Sequence, residues 1–189
     1  MTSSRRVCVE SEADAAAHAR RDDTVTTRLL LLADTHVPAR AKRLPDAVMR
    51  AVDEADIVVH AGDWIDAATL DLLESRSRVL VGVYGNNDGP ALRERLPEIA
   101  RLTLEEVDVA VVHETGAKQR REERMDAAFP GTDLLVFGHS HIPWDTVAPS
   151  GMRLLNPGSP TDRRRQPVCT MMTVVIDARR IDATLVPIV

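Results

Sequence analysis

The chain has 189 residues, of which 44% are hydrophobic and 28% charged, and its formal net charge is −5. This composition is typical of a globular protein, and the length suits one domain with a single hydrophobic core. The net negative charge argues against a protein that coats nucleic acid. No apolar run approaches the roughly 18 residues of a membrane span, and no apolar segment follows Arg5 and Arg6 to form a secretory signal.

Cys8 and Cys169 are the only cysteines in the chain. Cys8 lies in a polar stretch and Cys169 in an apolar one, so we expect two unpaired thiols and a cytoplasmic location. Residues 1–25 are polar, charged and rich in alanine, without a sustained apolar face. They predict a disordered N-terminal extension, followed by one domain over residues 26–189.

Predicted strands and helices alternate in the first half of the chain. Short apolar runs predict strands at Thr27–Ala33, Ile57–Val59 and Val79–Val83. Apolar spacing predicts helices at Leu44–Asp56, Asp66–Arg76 and Pro90–Leu96. This alternation is typical of right-handed βαβ units with parallel strands.

Strands and hairpins dominate the second half, with one charged helix at Ala117–Ala128. The predicted strands are Ile99–Leu104, Val107–Val112, Leu134–Phe137, Thr146–Ala148, Met152–Leu155, Val168–Ile176 and Ile181–Ile188. An α/β fold in which two mixed β-sheets pack face to face, with helices outside, accounts for the parallel strands of the first half and the hairpins of the second. We therefore predict a four-layer αββα sandwich.

Five polar clusters each follow directly on an apolar run. They are Asp34-Thr35-His36, Gly62-Asp63, Gly85-Asn86-Asn87-Asp88, His113 and Gly138-His139-Ser140-His141. Ligands of open α/β sheets bind beyond the carboxyl ends of the strands, so these clusters can converge on one edge. In an extended chain, residues two apart point to the same side, which would pair Asp34 with His36 and His139 with His141.

The clusters combine carboxylate, imidazole and amide oxygen donors and contain no thiolate. The candidate ligands are Asp34, His36, Asp63, Asn86, His113, His139 and His141. Such a set suits Mn²⁺, Fe²⁺ or Zn²⁺ better than Ca²⁺ or a structural zinc. It is too large for one such ion and suits two ions that share a carboxylate. Two ions about 3.5–4 Å apart can activate a water and hold both oxygens of an in-line displacement at phosphorus.

In this order, the five clusters resemble the motifs of the calcineurin-like metallophosphoesterase superfamily. Asp34-Thr35-His36-Val37-Pro38 and Asn156-Pro157-Gly158-Ser159 are similar to its small, YfcE-like phosphodiesterase branch. The resemblance extends from about Leu29 to Ile188. It implies two divalent metal ions per chain, Mn²⁺ in the first place and Fe²⁺, Ni²⁺ or Zn²⁺ as alternatives.

The resemblance also assigns the ligands. It implies that Asp34, His36, Asp63 and His141 hold one ion, and that Asp63 (as the bridge), Asn86, His113 and His139 hold the other. It further implies that a hydroxide bridging the two metals attacks the phosphorus of a small phosphodiester in line.

Two positions depart from the superfamily pattern. Many members have a histidine after the motif asparagine as general acid, whereas this chain has Asn87, whose amide donates a hydrogen bond but no proton. The minimal branch also lacks that histidine, so we predict a catalytic Asn87 and substrates with good leaving groups. His113 precedes Glu114 where glycine is usual, which alters the rim of the site. We predict that His60 and Asp88 orient the ligands from behind.

Other functions remain open from the sequence alone. A non-catalytic interaction scaffold would use the same fold, as the small subunit of retromer does, but it has no need for a complete ligand set. A phosphomonoesterase and a nuclease use the same chemistry, and the charge and scarcity of aromatic residues argue against the nuclease. We expect no membrane partner, and homo-oligomerisation is left open.

Overall fold

The computed structural model describes residues 26–189 and arranges them in two five-stranded sheets. The prediction for residues 1–25, including Cys8, lies outside the described residues. The strands are β1 (Thr26–Leu32), β2 (Ile57–His60), β3 (Leu80–Gly82), β4 (Ile99–Leu104), β5 (Val107–Val112), β6 (Leu134–Val136), β7 (Trp144–Val147), β8 (Arg153–Asn156), β9 (Cys169–Asp177) and β10 (Arg180–Ile188). The helices are α1 (Asp46–Glu54), α2 (Ala67–Arg76), α3 (Pro90–Arg93) and α4 (Arg121–Ala128).

The first sheet has the strand order β10-β9-β1-β2-β3. Its strands β1, β2 and β3 run parallel, with Leu31 opposite Val59 and Val59 opposite Val81. Strand β9 pairs antiparallel with both β1 and β10. Strands β9 and β10 form the predicted hairpin at one edge of the sheet. The alternation of strand and helix in the sequence therefore produces the expected parallel strands.

The second sheet has the strand order β4-β5-β6-β8-β7. Strands β5, β6 and β8 run parallel, and the outer strands β4 and β7 pair antiparallel with β5 and β8. Each sheet thus mixes both strand directions. The prediction of two mixed sheets is confirmed.

Alternate residues of the strands face different layers of the molecule. Leu29 and Leu31 pack with Val109 and Val136 in a core between the two sheets. Leu30 and Leu32 point the other way and pack against α1 and α2. On the outer face of the second sheet, Phe129 at the end of α4 packs on its strands. The helices therefore lie outside the paired sheets, and the four-layer αββα sandwich is confirmed.

The helix predicted over Ala117–Ala128 is shorter than expected and begins at Arg121. Arg120 has a left-handed backbone with φ 49°, which interrupts a right-handed helix. The guanidinium of Arg124 donates to the carbonyls of Thr115, Ala117 and Gln119, so these carbonyls bind a side chain in place of helical N–H groups. None of the helices within residues 26–189 has the length and apolarity needed to cross a bilayer.

Candidate metal centre

The five polar clusters lie at the carboxyl ends of strands β1, β2, β3, β5 and β6. Backbone hydrogen bonds tie the loops that follow these strands to one another. Asp34 N–H donates to the Gly62 carbonyl at 2.9 Å, and His36 N–H donates to the Asp63 carbonyl at 3.1 Å. Gly138 N–H donates to the His113 carbonyl at 3.0 Å. Parallel strands of both sheets thus bring their polar ends to a common edge.

The backbone at the clusters is not extended, which corrects the sequence-based argument for pairing Asp34 with His36 and His139 with His141. Positive φ angles occur at Asp34 (54°), His36 (44°), Asp63 (62°), His139 (68°) and His141 (58°). Few residues other than glycine adopt this conformation, and it concentrates at functional sites. The directions of these side chains are therefore set by left-handed backbone conformations and not by the alternation of an extended strand.

Four side chains form a first group of donor atoms. The Nε2 atoms of His36 and His141 are 3.2 Å apart. Asp34 Oδ1 lies 3.4 Å from His141 Nε2, and Asp63 Oδ2 lies 3.5 Å from His36 Nε2. Donor atoms about 2.1 Å from a shared ion are separated by roughly 3.0–3.4 Å. The first group therefore has the spacing of one coordination sphere.

A second group lies on the other side of Asp63. Asn86 Oδ1 is 3.0 Å from His113 Nε2 and 2.9 Å from His139 Nδ1. Asp63 Oδ1 is 3.4 Å from the same His113 nitrogen. His113 is buried, whereas the side chain of His139 is 44% exposed, so this group opens to solvent. All seven predicted ligands thus lie in one of two adjoining groups.

Asp63 presents one carboxylate oxygen to each group. Burial alone would raise the pKa of Asp63, but hydrogen bonds and positive charge from His113 and hydrogen bonds from Asn87 outweigh burial and hold it below its usual range. Asp34 also has a donor atom within 4.8 Å of His36 and His141, and of Asp63 and His113. Asp63 has the better geometry for a bridge because its two oxygens face opposite groups.

Asn87 contacts Asp63 twice. Its backbone N–H donates to Asp63 Oδ1 at 2.9 Å, and its side-chain amide donates to Asp63 Oδ2 at 2.6 Å. The sequence predicted that this amide faces the leaving group, whereas in the structure it donates a hydrogen bond to Asp63, a predicted metal ligand. The absence of a side chain at Gly85 leaves room for the Asp63 carboxylate beside this loop, because a Cβ at Gly85 would lie 2.2 Å from Asp63 Oδ1.

Asp34 shows that the residues fit a cation. Its side chain is fully buried, and Oδ2 has no hydrogen-bond partner among the described residues. Burial raises the pKa of this carboxyl to about 8. A buried carboxylate oxygen without a hydrogen bond is costly unless a cation compensates it. Together with imidazole and amide donors, this carboxylate suits a divalent transition-metal ion.

Carbonyl groups orient two of the histidines. The tautomers assigned from these contacts have His141 Nδ1 donating to the Asp162 carbonyl at 2.7 Å, and His113 Nδ1 donating to the Ala61 carbonyl at 2.7 Å. The Nε2 atom of each ring then faces the donor groups, and it offers a lone pair to an ion once the ring is neutral. Burial lowers the pKa of His141 to about 4, so this ring is neutral at physiological pH.

His60 lies behind the donor groups, where the sequence predicted an orienting residue. Its Nδ1 accepts from Gly62 N–H at 3.2 Å, so its Nε2 carries the proton and donates to Thr35 Oγ1 at 3.1 Å. Its ring stacks on Trp64 with centroids 3.5 Å apart. Burial lowers the pKa of His60 to about 3, which keeps the ring neutral. His60 thus links the loops that carry Asp34 and Asp63.

Asp88, the other predicted orienting residue, fixes the backbone around Asp63. Its buried carboxylate accepts N–H groups from Asp63 (3.0 Å), Ile65 (2.8 Å) and Gly85 (2.7 Å). Burial raises the pKa of Asp88 above its usual value. Because both loops bind the same carboxylate, Asp88 sets the position of Asp63 relative to Asn86 and Asn87.

The sequence did not identify several supporting residues. Ser159 Oγ donates to the Asp34 carbonyl at 2.7 Å, and Asn156 Nδ2 donates to the Gly138 carbonyl at 2.8 Å. Asp162 contacts His141 through its carbonyl group, and its side chain gives no signal of that role. The Asn156-Pro157-Gly158-Ser159 motif was the available signal, because it is part of the family resemblance, but it did not indicate which ligand loops its residues contact.

Comparison with known proteins agrees with this geometry. The calcineurin-like phosphoesterase superfamily domain matches residues 28–179 of the chain. The chain belongs to that superfamily. A probable metallophosphoesterase of Methanocaldococcus jannaschii is 32% identical over 161 residues, covering 84% of this chain and 80% of the relative. Another probable metallophosphoesterase, from Methanothermobacter thermautotrophicus, is 33% identical, covering 82% of this chain and 90% of the relative.

Solved structures show the same phosphoesterase fold. A Thermotoga maritima protein is 34% identical with a TM-score of 0.69, covering 86% of this chain and 99% of that chain. Vps29 of Entamoeba histolytica, solved in complex with Zn²⁺, is 20% identical with a TM-score of 0.69, covering 85% of this chain and 98% of that chain. The family supports phosphoester hydrolysis in general, and the Asp and His clusters are compatible with divalent metal ions.

Metal binding by this phosphoesterase is expected to release protons. Below the Asp34 pKa of about 8, the metal-free carboxyl is mainly protonated, so an ion must displace that proton. Affinity for Mn²⁺ should therefore rise by up to about tenfold per pH unit between pH 6 and 8. Titration calorimetry at pH 7 in two buffers of different ionisation enthalpy should show release of at least one proton per chain. Binding without proton release would contradict the assigned role of Asp34.

Proposed function

We propose that the chain is a dinuclear metal-dependent phosphodiesterase that hydrolyses small phosphodiesters. The observation that carries this proposal is the position of Asp63, whose two oxygens face separate groups of donor atoms. Asp34, His36 and His141 would complete one ion site, and Asn86, His113 and His139 would complete the other. When bound, the two ions would supply an activated water at neutral pH and stabilise negative charge at phosphorus.

The residues of the chain would set the positions and charges that this reaction needs. Asn87 and Asp88 hold the Asp63 carboxylate and its backbone, and His60 joins the neighbouring loops. Asn87 cannot deliver a proton to a leaving oxygen. The proposal therefore favours diesters whose leaving groups depart without protonation, and Mn²⁺ as the metal, with Fe²⁺, Ni²⁺ and Zn²⁺ as alternatives.

A direct test is hydrolysis of bis-p-nitrophenyl phosphate by protein loaded with Mn²⁺, with and without a chelator. We expect turnover that the chelator abolishes and that exceeds the rate with p-nitrophenyl phosphate, the matched monoester. Absence of metal-dependent turnover across Mn²⁺, Fe²⁺, Ni²⁺ and Zn²⁺ would refute the proposal. A faster rate with the monoester would support a phosphomonoesterase instead.

The two histidines of the last cluster should serve different ions. His141 lies 3.2 Å from His36, whereas His139 lies 2.9 Å from the amide oxygen of Asn86. Replacing either His139 or His141 by alanine should lower the metal content from two ions to about one per chain. Elemental analysis of each dialysed variant would measure this loss. Retention of two ions by both variants would show that the division between the groups is wrong.

An interaction scaffold is the alternative, because Vps29 proteins share this fold and one from Chaetomium thermophilum was solved with a cyclic peptide. That likeness, at 18% identity, concerns the fold alone. A variant carrying both Asp63→Ala and His139→Ala distinguishes the two functions. If the chain is a phosphodiesterase, this variant should lose hydrolysis. If it is a scaffold, the variant should still bind a specific protein partner of the wild-type chain.

A further inference from the structure

The loop between β3 and α3 carries three residues of the candidate metal centre. Asn86 belongs to the second donor group, where its amide oxygen lies beside two histidines. Asn87 donates to the Asp63 carboxylate, and the Asp88 carboxylate accepts the Asp63 N–H. These contacts use the side chains and one N–H group of the loop. Its backbone carbonyls bind another partner.

That partner is Arg93, the last residue of α3. Its Nε donates to the Asp88 carbonyl at 2.7 Å, and its Nη2 donates to the Gly85 carbonyl at 3.1 Å and the Asn86 carbonyl at 3.4 Å. One guanidinium therefore binds the backbone on both sides of Asn87. Hydrogen bonds from a charged donor are stronger than those from a neutral one, and the planar guanidinium fixes their directions.

We propose that Arg93 is a positioning residue for the second ion. By holding the carbonyls of the loop, it fixes the backbone from which Asn86 reaches the second donor group and Asn87 reaches Asp63. Within residues 26–189, every hydrogen bond of the Arg93 side chain goes to a backbone carbonyl, so it acts through the loop and not on the ion. The proposal rests on the proposed function, because it assigns Arg93 to one of two ion sites.

The Arg93 side chain is itself held on two sides. Its guanidinium stacks on the Tyr84 ring, 4.4 Å from the ring centroid. Tyr84 N–H donates to the Pro97 carbonyl at 3.1 Å, which ties the start of the loop to the segment after α3. Leu92 is buried in the core between the first sheet and its helices, and it anchors α3. A guanidinium supported in this way loses little conformational freedom when it binds the loop.

The contacts of Arg93 lie on one side of the metal centre. The loops of the first donor group are held by other residues, since the Asp34 carbonyl accepts from Ser159 Oγ at 2.7 Å. The His141 ring donates to the Asp162 carbonyl, also at 2.7 Å. Neither contact involves the loop between β3 and α3. Loss of the guanidinium should therefore loosen the second donor group and leave the first in place.

Three variants separate this role from a general effect on folding. Arg93→Ala removes the guanidinium, and Arg93→Lys keeps the charge on a single ammonium that cannot bind all three carbonyls at once. Arg95→Ala is the matched control. Arg95 lies two residues further along and binds the carboxylates of Asp71 and Glu74, at 2.7 and 2.8 Å, instead of the loop.

The first arm of the test is hydrogen exchange of the metal-free protein, which needs neither metal nor turnover. Its reporter is the Asn87 N–H, which donates to Asp63 Oδ1 at 2.9 Å. Arg93→Ala should accelerate exchange at Asn87 by about tenfold or more, Arg93→Lys by less, and Arg95→Ala by less than about twofold. The Asp34 N–H, bound to the Gly62 carbonyl, should exchange at the wild-type rate in all three variants. Unchanged exchange at Asn87 in Arg93→Ala would overturn the proposal, and so would equal acceleration at Asp34, which indicates a general loss of stability.

The second arm measures the two ions separately by calorimetric titration with Mn²⁺. Arg93→Ala should weaken binding of one ion by about tenfold or more and leave the other within about twofold of the wild type, with Arg93→Lys between them. Hydrolysis of bis-p-nitrophenyl phosphate should fall at stoichiometric Mn²⁺ and recover in excess Mn²⁺, because every predicted ligand is still present. Arg95→Ala should match the wild type in both measurements.

The outcomes distinguish this proposal from the proposed function. Wild-type affinity for both ions in Arg93→Ala, or equal weakening of both, would overturn the positioning role. A wild-type protein that binds only one ion would overturn the positioning role and the dinuclear centre together. If the wild type binds two ions and hydrolyses no diester, the phosphodiesterase proposal fails, while the titration of Arg93→Ala still decides the role of Arg93.

Discussion

Replacing Asp63 by alanine is expected to lower kcat/KM for diester hydrolysis by more than about 1,000-fold. The variant removes both oxygens that face the two donor groups, at 3.5 Å from His36 Nε2 and 3.4 Å from His113 Nε2. Loss of a bridge weakens both ion sites together, so metal content should fall below one ion per chain. Steady-state kinetics and elemental analysis on the same preparation would measure both effects.

The matched control for this variant is Asp53→Ala. Asp53 is an exposed aspartate whose carboxylate pairs with Arg76 on the surface, away from the donor groups. This change should leave kcat/KM and metal content within about twofold of the wild type, since exposed ion pairs contribute little. If Asp63→Ala kept two ions and more than a tenth of the activity, Asp63 would not be the bridge.

Replacing Asp88 by alanine is expected to have the largest effect on stability. The buried carboxylate accepts three backbone N–H groups, from Asp63, Ile65 and Gly85. Alanine leaves these donors without partners, and each unsatisfied buried donor costs about 1–3 kcal/mol. The free energy of unfolding of the metal-free protein should fall by about 3 kcal/mol or more, as measured by urea denaturation.

Asp71→Ala is the control for the stability experiment. Its carboxylate pairs with Arg95 at 2.7 Å but is 64% exposed. Surface pairs of this kind contribute about 0–1 kcal/mol, so this variant should stay within 1 kcal/mol of the wild type. A loss at Asp88 no larger than the loss at Asp71 would mean that the loop around Asp63 does not depend on that carboxylate.

The order of strands and helices was predictable because it follows from the apolar periodicity of the sequence. The runs at Ile57–Val59 and Val107–Val112 became β2 and β5 with little change, and a polar cluster follows each of them. The carboxyl ends of parallel strands meet at one edge of a sheet, so the position of the clusters after these strands predicted their proximity. The residue types and their position after the strands were enough to indicate a metal centre.

The directions in which the ligand side chains point could not be predicted from apolar periodicity. Left-handed conformations at Asp34 and His139 are imposed by neighbouring loops, and no short-range pattern encodes them. The contact between Asn87 and Asp63 depends on two loops 24 residues apart and on the absence of a Cβ at Gly85. Contacts through the carbonyl groups of Ala61 and Asp162 use backbone atoms that every residue possesses. Such details follow from tertiary packing.

A crystal structure of the protein grown with Mn²⁺ tests most directly whether Asp63 joins two ion sites. Anomalous scattering should show two ions about 3.5–4 Å apart, each bonded to a different oxygen of Asp63. His36 and His141 should contact one ion, and His113 and His139 the other. A single ion, or a pair in which Asp63 binds only one member, would contradict this role of Asp63.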